Sequence, residues 1–121
     1  MRSLGPLESA VMSLLWDADG ALSVRQALDG LRDRDLAYTT VATVLENLHR
    51  KEWVERERLG RVWFYRPRVQ PSEHAASQMR EALAASNSPR ATFLKFVDEI
   101  SDDEAALLRE LLAEATPPEE R

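Results

Sequence analysis

Cysteine is absent from the 121 residues, which removes disulfides, thiolate metal sites and a cysteine nucleophile together. Histidine is almost as scarce, with His49 and His74 the only two. His49 ends a helical stretch and is expected at the surface near phosphate. His74, beside Glu73, is expected to be solvated, so neither a metal nor a cofactor is anticipated. Glycine numbers four and forms no phosphate-binding loop, and no serine stands in a nucleophile context. The one carboxylate run, Asp102-Asp103-Glu104, follows Ser101 in a capping box that opens a helix, where the macrodipole accounts for it. That inventory argues against an enzyme and a small-molecule substrate. No apolar run approaches the roughly 18 residues needed to cross a bilayer. Glu8 and Asp17 interrupt the N-terminal apolar stretch, so it does not read as a secretory signal. The expectation is a cytoplasmic protein with no membrane partner.

Charge of one sign is scarce only locally. The chain carries −5 overall. Residues 1–68 hold 11 basic and 10 acidic side chains, whereas residues 69–121 hold 5 and 11. Within residues 49–68, Arg50, Lys51, Arg56, Arg58, Arg61, Arg66 and Arg68 stand against Glu52, Glu55 and Glu57, a net of +4. The positive potential is confined to one segment of the chain.

Pro6 suits the first turn of a helix that carries Leu7, Val11, Leu14 and Leu15 on one face and ends at "DADG". Ser23 and Gln26 form a capping box for a second helix with Val24, Ala27, Leu28 and Leu31. A third begins near Tyr38–Thr39 and repeats Val41, Val44, Leu45 and Leu48 at i, i+3, i+4, i+7. The period then changes. "WVERERL" and "VWFYRPR", separated at Gly60–Arg61, read as a β-hairpin in which Trp53 and Phe64 pack against the helices. Three helices followed by a hairpin is the order of a winged helix-turn-helix. The predicted class is mainly α with a small β-hairpin wing (α+β), with this domain over residues 1–68 and a linker at 69–72. A helical dimerisation region follows over 73–116 and a disordered tail over 117–121. Its apolar positions are Met79 and Leu83 on one helix, Phe93, Phe96, Val97 and Ile100 on the next, and Leu108, Leu111 and Leu112 on the last. So few residues cannot enclose a core alone; a second copy of the same region is expected to cover them, the alternative being that they fold back on the first domain.

The third helix, "YTTVATVLENLHRK", uses three threonines, a mediocre helix former. With its aliphatic stripe buried, Thr39, Thr40, Thr43, Asn47 and Arg50 face outward. Hydroxyls at a helix N-terminus can enter a major groove and offer donors, acceptors and a methyl to base edges. For these residues taken alone, the alternative is that Thr39 or Thr40 caps the helix and Thr43 is solvated. Phosphate anchoring would come from Tyr38, Arg50 and Lys51 on the helix and from Arg56, Arg58 and Arg61 on the wing. The competing function is a winged helix used as a protein-interaction module, which would have no need of a basic segment around a polar stripe.

The stretches "LGPLESAVMSLLW", "YTTVATVLENLHRKEWVERERLGRVWFYRP" and "FLKFVDEISDDEAALLRELL" together resemble the penicillinase-repressor (BlaI/MecI) family. The resemblance implies a homodimeric transcriptional repressor whose partner is double-stranded operator DNA, in inverted repeats with TACA/TGTA-like half-sites. By position it assigns base reading to Thr39, Thr40 and Thr43, and phosphate contact to Arg50, Lys51 and Arg61. In the β-lactam branch of the family, a membrane sensor triggers proteolysis in the second C-terminal helix, here at Lys95-Phe96. Lys95 stands where better-known members carry asparagine. A copper-responsive branch uses C-terminal cysteines, which this chain lacks.

Overall fold

The computed structural model describes residues 4–115; the expected tail at 117–121 lies outside them. Helix α1 (Pro6–Asp17) starts with Pro6 at its first turn, and Glu8 reaches back to accept the Gly5 N–H at 2.9 Å. Strand β1 (Leu22–Ser23) leads directly into α2 (Val24–Gly30). The expected capping box is present there: Ser23 N–H donates to Gln26 Oε1 at 2.9 Å and Gln26 N–H to Ser23 Oγ at 3.2 Å. A 3-10 turn at Arg32–Arg34 then precedes α3 (Tyr38–Arg50).

The end of α3 sets the course of the wing. Glu52 adopts a left-handed φ of 66°, Trp53 N–H donates to Leu48 O at 2.9 Å, and Glu52 N–H donates to His49 O at 3.0 Å. This is the Schellman arrangement, which closes the helix and turns the chain sharply. Strands β2 (Val54–Leu59) and β3 (Val62–Pro67) follow as the predicted hairpin, with Gly60 supplying the positive φ of 64° at its tip. The hairpin pattern predicts two strands, but the sheet has three, in the order β1-β3-β2 and antiparallel throughout. Two residues are too few for β1 to show alternation; its pairing of Leu22 with Tyr65 and Ser23 with Phe64 is a tertiary event.

The core comprises Val11, Met12, Leu15, Ala27, Leu31, Val41, Val44, Leu45, Leu48, Trp53, Val54 and Tyr65. The four predicted α3 positions are all buried. On α1, Met12 is buried, whereas Leu7 and Leu14 pack at the margin. A Cβ on Gly30 would lie 2.7 Å from Leu14 Cδ1, so glycine there allows α2 to approach α1 closely. On β3 the inward aromatic is Tyr65, and the expected Phe64 is only half-buried. Tyr65 shares the helix-facing side of the ribbon with Val54, and alternation sends Phe64 to the other side.

Residues 69–72, read from the sequence as a linker, are tied to the winged helix. Val69 packs against the core, its carbonyl accepts the Trp16 indole N–H at 2.8 Å, and Pro71 already begins α4 (Pro71–Ala85). His74 is half-buried rather than solvated, with ring centroids 5.9 Å from Trp16 and 5.0 Å from Trp53. The division into two compact units falls within α4, between Ser77 and Gln78.

The second unit continues through α5 (Pro89–Glu99) and α6 (Asp102–Ala115). Ser88 caps α5 by accepting from Ala91 N–H at 3.2 Å. Ser101 and Glu104 form the expected box on α6, at 2.9 and 3.1 Å. None of the described residues of α4, α5 or α6 is buried.

Lys51 Nζ lies 2.8 Å from Glu8 Oε1 and pins the end of α3 to the start of α1. Burial opposes ionisation of Glu8, but the Gly5 N–H and the Lys51 ammonium together outweigh it, holding the carboxyl below its ordinary value of 4.5. A depressed folded-state pKa adds stability above the unfolded value and loses it as pH falls through the folded one. Glu8→Gln should therefore lower stability by about 1 kcal/mol at pH 7. In urea titrations the gap to wild type should close as pH drops below 4.5. A gap of the same size at pH 7 and well below that value would show that the pair does not carry the effect.

Candidate nucleic-acid interface

Burying the stripe Val41, Val44, Leu45 and Leu48 leaves Tyr38, Thr39, Thr40, Thr43 and Arg50 exposed, with Asn47 half-buried beside them. The N-cap of α3 is Ala37, which has no side-chain cap. The threonines therefore do not serve as helix caps. Among the described residues, none of the hydroxyls of Thr39, Thr40 and Thr43 is held in a hydrogen bond, in contrast to Thr92, whose Oγ1 donates to Ser88 O at 3.0 Å. The N-terminal face of α3 thus presents unengaged donors and acceptors at a positive helix end.

The net charge of the basic segment resolves into pairs. Arg66 lies 2.7 Å from Glu55 and 3.7 Å from Glu57, and it holds the Glu55 carboxyl below its ordinary range. Arg68 lies 3.6 Å from Glu52. Lys51 is held by Glu8, and Arg56 Nη1 lies 2.7 Å from Glu46 Oε2. Of the seven cations between residues 49 and 68, Arg50, Arg58 and Arg61 are left without a carboxylate among the described residues. All three are exposed, Arg50 at the end of α3, Arg58 near the tip of β2 and Arg61 in the hairpin turn. Arg58 Nε donates to Gly60 O at 3.0 Å.

Two of the sequence-nominated phosphate residues are thus engaged inside the fold. Lys51 ties α3 to α1, and Arg56 ties the wing to α3 while its guanidinium lies 4.4 Å over the Trp63 ring. Their carboxylate partners, Glu8 and Glu46, are distant in sequence, so the basic run by itself could not show which members were already neutralised.

The structure also adds a cation that the basic run does not contain. Arg25, exposed on the first turn of α2, places its guanidinium 5.3 Å over the Tyr38 ring. Arg25 and Tyr38 join Ser23, Val24 and Val62 around an open hollow of about 400 Å³ beside the start of α3. Thirteen positions separate Arg25 from Tyr38, and no local pattern announces their proximity.

The model of the penicillinase repressor family matches residues 4–114. The transcriptional regulator BlaI of Mycobacterium tuberculosis, in strains CDC 1551 and H37Rv, is 44% identical over 118 residues, covering 94% of this chain and 86% of that protein. Among solved structures, BpsR of Bordetella bronchiseptica superposes with a TM-score of 0.50 at 17% identity, over 93% of this chain and 74% of that one, a likeness of fold. The chain belongs to the penicillinase-repressor family of winged-helix transcriptional regulators.

Proposed function

We propose that the chain is a homodimeric, sequence-specific repressor that occupies inverted-repeat operators with TACA/TGTA-like half-sites. The observation that carries this reading is the exposed, uncapped threonine face of α3, together with guanidiniums that no carboxylate of the described residues neutralises. Thr39, Thr40, Thr43 and Asn47 read base edges. Arg50 from α3, Arg58 and Arg61 from the wing, and Tyr38 hold the backbone, which fixes register without reading sequence. Lys51 and Arg56 support the interface from within. With so few free cations, non-specific affinity is modest and the specific contacts dominate.

The second unit supports the dimer. Met79, Phe93, Phe96, Val97, Leu108, Leu111 and Leu112 are exposed in the single chain, and Leu83 and Ile100 half-buried. Phe93 is 54% exposed and Leu112 61%, values at odds with large apolar side chains left in water. A two-fold partner covers them and carries a second reading helix to the other half-site, multiplying affinity by effective concentration. Relief of repression follows from proteolysis at Lys95-Phe96, both exposed within α5. A cut there detaches the rest of α5 and all of α6 from the DNA-binding unit.

Fluorescence anisotropy on a TACA/TGTA inverted repeat and a scrambled duplex should show preference for the repeat. Thr43→Ala should lose about 1–3 kcal/mol of affinity for the repeat and little for the scramble. Equal wild-type affinity for both duplexes would refute base reading by α3. In sedimentation equilibrium the wild type should be a dimer and Leu111→Asp a monomer that binds the repeat more weakly; a monomeric wild type would refute the dimer. Electrophoresis of the protein through derepression in inducer-treated cells should show a fragment ending near residue 95, whereas a chain that stays intact while repression lifts would remove proteolysis from the mechanism.

A further inference from the structure

The wing tip lies beyond the reach of the core. Arg58, Leu59, Gly60, Arg61, Val62 and Trp63 are all exposed, and a two-stranded ribbon in water is marginally stable and free to bend. A run of side-chain interactions nevertheless connects the tip to α3. Glu46 on α3 holds Arg56 on β2 at 2.7 Å. The Arg56 guanidinium lies 4.4 Å above the centroid of Trp63 on β3, and that of Arg58 lies 5.9 Å from the same ring. Arg58 in turn donates to Gly60 O in the turn, at 3.0 Å. The strand register allows this, because Arg58 stands opposite Trp63 and Arg56 opposite Tyr65, so the indole lies diagonally within reach of Arg56.

We infer that Glu46, Arg56 and Trp63 form a positioning relay that fixes the wing tip relative to the reading face of α3, so that Arg61 meets a backbone phosphate while α3 is in the groove. The inference rests on the DNA-binding reading and adds to it. Arg56 is a positioning residue and does not itself hold a phosphate. Its side chain is 22% exposed, and releasing Glu46 to reach a phosphate would leave a carboxylate facing DNA one turn from Arg50 and beside Thr43 and Asn47. A guanidinium stacked on the indole still donates in its own plane, here from Nη1 to Glu46, which suits arginine and not lysine. Trp63 is 39% exposed on a wing that could have used any strand former, and its ring face explains the choice.

The test uses the slope of log affinity against log salt on the TACA/TGTA repeat, which becomes shallower by about 0.9 for each phosphate that the protein no longer neutralises. Arg61→Gln removes one such contact from each protomer of the dimer and should lower the slope by about 1.8. Trp63→Leu removes no charge, yet should lower it by at least as much, by letting the tip with Arg58 and Arg61 drift, and adding Arg61→Gln to it should lower the slope no further. Trp63→Phe retains a ring face and should restore the wild-type slope. Circular dichroism melts check that each variant is folded, and Trp63→Thr serves if leucine disturbs the strand. An unchanged slope for folded Trp63→Leu would overturn the relay. So would an Arg56→Gln, Arg61→Gln double variant whose slope falls by about 1.8 more than that of Trp63→Leu, Arg61→Gln, since Arg56 would then hold a phosphate of its own in each protomer. A wild type with no salt-dependent preference for the repeat would overturn the DNA-binding reading itself, an outcome distinct from failure of the relay alone.

Discussion

Burial of Val41, Val44, Leu45 and Leu48 against α1, α2 and the wing governs the N-terminal unit, because one face of a helix can be turned inward only by turning the opposite one out. With those four side chains in the core, the threonines at the start of α3 must face solvent. The helix then ends in a Schellman turn at Glu52, and Trp53, the largest fully buried side chain among the described residues, anchors the chain where it enters β2. Rotating α3 by one position would strip the core and hide the polar face in the same motion. Packing and presentation are therefore one constraint.

Electrostatics refine what packing presents. A basic segment in an acidic protein looks like a diffuse positive patch, but close pairing divides it into structural and available charges. Lys51 and Arg56 leave the available set by pairing with Glu8 and Glu46, and Arg66 and Arg68 by pairing with Glu55 and Glu52. Exposed pairs contribute little stability, but they cancel potential locally. The field that remains is concentrated at the end of α3 and the wing tip, with Arg25 near the start of α3. Where few of the described cations are free, the surface potential depends on where each one is held, so the support of the wing tip bears on electrostatics as well as on fold.

Much of this arrangement was legible in the residues. The i, i+3, i+4, i+7 spacing marked the buried face of α3, the switch to alternating β-branched and aromatic residues marked the hairpin, and Ser23-Gln26 and Ser101-Glu104 marked two helix starts. Each is a local pattern whose physical cause lies within a turn or two of chain. Contacts formed at long sequence separation were not legible. Strand β1 is too short to carry a period, and Tyr65 rather than Phe64 faces inward because of a register set by partners. His74, beside a glutamate in sequence, lies between two tryptophans contributed from positions 16 and 53.

Sequence alone determined the composition of α3, the absence of thiol chemistry, and the order of helices and hairpin, since these depend on residue identity and short-range periodicity. The tertiary structure decided which arginines remain free, that residues 69–72 join the winged helix, and that Arg25 and Tyr38 share one hollow. The reason is the same in each case. An ion pair, a ring contact or a docked carbonyl depends on distances between segments far apart along the chain, and those distances exist only once the apolar stripes have closed on one another.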